Sequence, residues 1–117
     1  MTTVFAVHRV KEDVSPAEAY GSVRYVNSRY VYPDETVNNR IPANVQTKLE
    51  KAVDEFDPDH DYVLIAGDHL QLIAFAALLA NRWGDFKVLR FDREAGGYYP
   101  LTITIGNYTN DFQTNPL

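Results

Sequence analysis

Apolar and polar positions alternate along this chain with two periods, and the switches between them mark the elements. Residues 4–10, VFAVHRV, are rich in β-branched and apolar side chains and predict a buried strand. SPAEAYG follows with Ser15 placed to cap, Pro16 at the first helical position, Glu18 at the capping-box position and Gly21 at the stop. That combination predicts a helix of one or two turns. Residues 22–33, SVRYVNSRYVYP, alternate and are dense in Val and Tyr, with Asn27-Ser28 in the middle. They predict a hairpin, with one bent strand as the rival.

After a loop at PDETVNN, Pro42 opens a helical period. Val45, Leu49, Ala52, Val53 and Phe56 fall on one stripe, and the positions between them are charged or polar. An acidic turn, FDPDHD, leads to the short apolar run 62–66, the pattern of a strand covered on both faces. A helix is predicted from about 69 to 82, with Gly84 to stop it and Arg82 in its last turn. FKVLRFD is a strand, REAGG a turn, and YYPLTITI a returning strand.

Residues 62–91 thus form a βαβ unit, which predicts two parallel strands with a right-handed crossover. The fold expected is α/β: one domain over residues 1–105, with a mixed sheet of about five or six strands and two main helices. Residues 106–117 form a C-terminal tail without a period. It is expected to be disordered or docked on a partner.

Composition narrows the function classes. The 117 residues suit one domain with its own core, and there is no cysteine, hence no disulfide, thiolate metal site or thiol nucleophile. The longest nearly apolar run is far shorter than a membrane span, and the N-terminus lacks the basic-then-apolar pattern of a signal peptide. A cytoplasmic protein with no membrane contact is the expectation. The net charge of −5 argues against a broad nucleic-acid surface.

The polar residues that end the buried strands are the candidate chemistry. Asp68 precedes an apolar helix and Gln71 follows three residues later, so the pair reads first as an N-cap with its capping box. A cap alone predicts a loss of about 1 kcal/mol for Asp68→Ala and little for Asp68→Asn. The competing reading is functional. Ligands of open α/β sheets gather outside the carboxyl ends of the strands. If strand 4–10 runs parallel beside strand 62–66, then His8, Arg9, Asp68 and His69 converge there as a ligand-binding set. A His–Asp pair can do acid–base work or hold a metal. No glycine-rich phosphate loop, nucleophile elbow or H-E-x-x-H is present, so no catalytic residue and no cofactor is assigned.

Other clusters read more simply. Asp57, Asp59 and Asp61 have the spacing of the first EF-hand ligands, but Tyr62 stands where the loop needs Gly. His60 and His69 flank one strand at opposite ends and cannot share a metal, so no metal site is expected. Tyr20, Tyr25, Tyr30 and Tyr32 lie near Arg24 and Arg29. Such a set can stack on single-stranded nucleic acid, yet tyrosine is equally a strand and interface residue. NYT at 107–109 matches a glycosylation sequon and is discounted without a secretion signal.

The helix at 69–82 carries more apolar surface than one sheet face needs. Leu72, Phe75, Leu79 and Trp83, together with Tyr25, Tyr30 and Tyr32, are the interface residues expected for a homodimer or a host-protein contact.

DYVLIAGDHLQLIAFAALLANRWGDFKVLRFDREAGGYYP, with RYVYPDE upstream, resembles small proteins encoded by tailed bacteriophages. The similar features are D-Y-x-L-x-x-G-D, an apolar helix, L-R-aromatic-D-R and a Tyr-rich return strand, over about two-thirds of the chain. The resemblance carries no activity; it implies an accessory phage protein acting in the host cell, or a small virion component. The reading overall is a non-enzymatic interaction protein. The alternatives are a small-ligand or nucleotide-binding protein, or hydrolase, at the His8/Asp68/His69 crevice, and a small virion structural component.

Overall fold

The computed structural model describes residues 1–106. The expectations for the tail and the sequon beyond Gly106 lie outside the described residues. The strands are β1 (Thr3–His8), β2 (Ser22–Asn27), β3 (Tyr62–Leu64), β4 (Phe86–Asp92) and β5 (Gly97–Ile103); the helices are α1 (Ala43–Glu55) and α2 (His69–Trp83). They build one five-stranded sheet of order β2-β1-β3-β4-β5. β1 to β4 are parallel and β5 closes one edge antiparallel. The mixed sheet, the two main helices and the βαβ unit are as expected.

One element differs. Residues 22–33 are not a hairpin: β2 pairs with β1 in parallel, then leaves the sheet at Asn27. The segment beyond it is drawn off the sheet, because Val31 is buried and its N–H donates to the Asp68 carboxylate at 3.1 Å. A 3₁₀ turn at Pro33–Glu35 follows. Tyrosine and valine make this segment look extended, but a long-range bond decides its path.

The layering follows from the handedness of crossovers. The chain steps one way from β1 to β2, then the other way over β1 to β3 and on to β4. Right-handed connections place the first crossover on one face and α1 and α2 on the other. The two cores agree. Phe5, Val7, Val63 and Val88 pack with Leu49, Val53 and Phe56 of the α1 segment and Phe75 and Leu79 of α2. On the opposite face Val4, Ala6, Leu64 and Leu89 pack with Val14 and Ala17, from the 3₁₀ turn Ser15–Ala19 and its edge.

Both helices lie on one face and touch each other. Phe75 and Leu79, expected at an interface, are fully buried in this core; Leu72 and Trp83 are half-buried against it, and Trp83 Nε1 donates to the Val53 carbonyl at 2.8 Å. The surplus apolar surface of α2 is instead Leu70 and Ile73, the latter 69% exposed.

Candidate functional site

β1 and β3 are adjacent, and the crossovers that leave them go to opposite faces. Their carboxyl ends therefore form the switch point where open α/β sheets hold ligands. His8 ends β1, and Gly67 and Asp68 lead from β3 into α2, so the topology does bring His8 and Asp68 together.

The contact is a closed one. The Asp68 backbone N–H donates to His8 Nε2 at 2.8 Å. An N–H can only donate, so Nε2 carries the lone pair and Nδ1 the proton, which goes to the Arg9 carbonyl at 2.8 Å. Both ring nitrogens are used within the chain. The carboxylate is used as fully: Oδ1 accepts from Leu70 N–H at 3.0 Å, and Oδ2 accepts from Val31 N–H and from Gln71 Nε2 at 3.2 Å.

Gln71 is fully buried and bridges to β2. Its Nε2 also donates to the Arg29 carbonyl at 3.0 Å, and its Oε1 accepts from Asn27 Nδ2 at 3.0 Å. His8, Asn27, Asp68 and Gln71 are each at most 7% exposed. No buried side-chain nitrogen or oxygen among the described residues lacks a partner.

The capping box is thus only half formed. Asp68 caps α2 as expected, but the return bond from Gln71 to the Asp68 N–H is absent, because His8 takes that donor. Gln71 is freed to fasten the 27–31 segment. Gly67 permits the arrangement: its φ is +92°, and a Cβ there would lie 2.8 Å from His8 Nε2. The other two expected site residues stay outside. Arg9 is exposed with its guanidinium 4.3 Å from the Tyr25 ring centroid, and His69 is exposed on the first turn of α2. Asn27 and the backbone of Arg29 and Val31 also belong to this network and are not among the expected site residues; a polar Gln inside an apolar helix is the signal that points to them.

Beside this closed network is an open cleft of about 590 Å³, lined by Ile65, Ala66, Gly67, Phe91, Tyr98 and the carboxylates of Glu12 and Asp13. Burial raises the Tyr98 phenol above its ordinary pKa, and the charges of Glu12 and Asp13 add to this. Apart from these two carboxylates and the Tyr98 phenol the lining is apolar; it offers apolar contact under negative charge.

Around the same end of the sheet lie exposed large side chains: Tyr30 at 47%, Tyr32 at 55%, Ile65 at 43%, Leu70 at 41% and Phe91 at 44%. Tyr30 and Tyr32 pack edge to face, and Val31 between them is the residue tied to Asp68. Arg29 forks onto Glu35 at 2.8 and 2.6 Å. That hydrogen-bonded pairing, with the Tyr32 N–H, holds the Glu35 carboxyl at a pKa of about 2. Arg24 pairs with Glu55 and lies over the Phe5 ring. Arg24 and Arg29, the arginines of the less favoured nucleic-acid reading, thus pair with carboxylates of the chain itself.

The fold and this site define a small doubly wound α/β domain whose switch-point crevice is filled by its own hydrogen-bonded side chains. The chain belongs to the Phage Pam3 gp32-like protein family, whose model matches residues 3–105. The resemblance to small phage proteins is borne out at that level. No curated protein and no solved structure matches the chain. Among the described residues no helix is long and apolar enough to cross a membrane.

Proposed function

We propose that this phage-family protein is a non-enzymatic interaction protein that docks another protein, a host factor met during infection, on the rim at the carboxyl end of its sheet. One observation carries the reading. The crevice where this architecture would hold a small ligand is filled and hydrogen-bond complete, while the rim around it exposes Tyr30, Tyr32, Ile65, Leu70, Ile73 and Phe91. Tyrosine and large aliphatic side chains are the anchors of protein interfaces, giving contact area with few torsions to freeze. The rim also carries Glu12 and Asp13 at its cleft on a chain of net charge −5. Its complement is a surface with apolar anchors and basic residues at the margin, whose association rate falls with salt. The engagement of Arg24 and Arg29 by Glu55 and Glu35 favours a protein over a nucleic acid.

The test is crosslinking in infected cells with wild-type chain, Ile73→Lys and Tyr30→Lys, both at exposed positions. Each substitution is expected to reduce recovery of the crosslinked partner by about tenfold or more. Thermal midpoints should stay within a few degrees of wild type, since exposed sites carry little stability. Unchanged recovery with both variants contradicts a rim interface.

A further inference from the structure

We propose that two copies of this chain pair through the edge of β5 that no other described strand occupies, antiparallel and in register about Ile103, to form one continuous ten-stranded sheet; this surface is separate from the rim and stands whether or not the rim has a partner.

The backbone sets which groups face outward. Pro100 has no N–H and lies opposite Leu89. Leu89 gives its carbonyl to Ile65 N–H on the β3 side at 2.9 Å. The Leu89–Pro100 pair is therefore a non-hydrogen-bonded one, and the alternation of an antiparallel ladder fixes the rest. Tyr99, Leu101 and Ile103 turn their N–H and C=O toward β4, while Tyr98, Pro100, Thr102 and Thr104 turn theirs away. Ile105 N–H continues the inward set, donating to Asp85 Oδ1 at 2.8 Å. Pro100 interrupts the outward donors, which is how a proline fits an edge strand. Beyond it Thr102 and Thr104 present a donor and an acceptor each.

The side chains repeat this symmetry. Leu101-Thr102-Ile103-Thr104-Ile105 reads nearly the same in both directions about Ile103. Leu101 and Ile103 stand opposite Val88 and Phe86, hence on the helix-bearing face. Leu101, Ile103 and Ile105 are 41%, 40% and 39% exposed, an even apolar row that α1 and α2 leave uncovered. A second copy turned by a two-fold axis through Ile103 sets Thr102 against Thr104 of its neighbour. That makes four reciprocal backbone hydrogen bonds and keeps both Pro100 residues out of them. Leu101 then meets Ile105, and Ile103 meets Ile103, on one shared face.

Charge points to a copy of the same chain. Residues 97–105 hold no charged side chain in a protein of net charge −5, so this is an edge where two copies meet without opposing carboxylates. Main-chain pairing of this kind is the strand-addition mode of recognition.

The experiment is ultracentrifugation of the full chain at about 100 µM, a concentration that populates a weak association. Wild type is expected to sediment at twice the 13.3 kDa chain mass. Ile103→Lys and Ile103→Asp alone should each sediment as monomers, since like charges meet across the axis, and an equimolar mixture should return to the doubled mass. Amide exchange at Thr102 and Thr104 should slow at least tenfold in the wild-type dimer relative to either single variant. A monomeric wild type, a single variant that remains dimeric, or a mixture that stays monomeric overturns the pairing. Slow exchange at both threonines in a monomer also overturns it, assigning the edge to the chain's own residues.

Discussion

Asp68→Ala is expected to lower stability by about 3 kcal/mol, roughly threefold more than the loss of a helix cap. The cap itself, Oδ1 to Leu70 N–H, accounts for about 1 kcal/mol. The remainder comes from Oδ2. Its removal strands the buried Val31 N–H and takes one of the two acceptors of Gln71 Nε2; a buried donor without an acceptor costs about 1–3 kcal/mol. The midpoint of thermal unfolding should fall by roughly 10–20 °C. Asp68→Asn should cost about 1–2 kcal/mol, because its carbonyl can keep one group of donors while its NH₂ faces the other. Urea unfolding of the three chains decides it. A loss near 1 kcal/mol for alanine with none for asparagine would reduce Asp68 to a cap and leave the 27–31 segment unanchored.

Gly67→Ala is expected to cost about 3 kcal/mol through two effects that a control separates. The φ of +92° strains any L side chain, by about 1 kcal/mol or more. The new Cβ also falls 2.8 Å from His8 Nε2, so the imidazole must move and the bond to the Asp68 N–H is lost in a buried place. Gly84 supplies the control: its φ is +87°, and nothing lies within 4 Å of the Cβ position. Gly84→Ala, at a φ of 87° and ψ of −126° that favour glycine, carries backbone strain without the collision and should cost about 1–2 kcal/mol, less than Gly67→Ala. Equal losses at the two glycines, read from paired denaturation curves, would show that His8 does not need the space.

Local signals carried most of the fold. The apolar run 62–66, the Asp68 cap and Gly84 marked the βαβ unit by chemistry within a few residues. The stripe from Val45 to Phe56 placed α1, although its partner on the sheet face included α2. The segment 22–33 misled because its path is set by Asp68, 37 residues from Val31. The candidate site divided in the same way. His8 and Asp68 were legible as a meeting at the switch point, since topology brings strand ends together. Whether they were open or spent was not legible, because the answer lies in Gln71, Asn27 and two backbone groups from distant elements. The extra apolar surface of α2 was visible as an excess, but helical phase against α1 chose Phe75 and Leu79 for the core and left Leu70 and Ile73 outside.

The crevice at the ends of β1 and β3 is closed by the protein's own side chains. Nitrogen-resolved NMR of the His8 imidazole reads that closure. The expected result is a proton fixed on Nδ1, an unprotonated Nε2 showing a coupling across the hydrogen bond to the Asp68 amide, and no change when nucleotides or divalent cations are added. A proton on Nε2, or a joint shift of His8 and the Asp68 amide on adding either ligand, would contradict it and restore the crevice as a binding site.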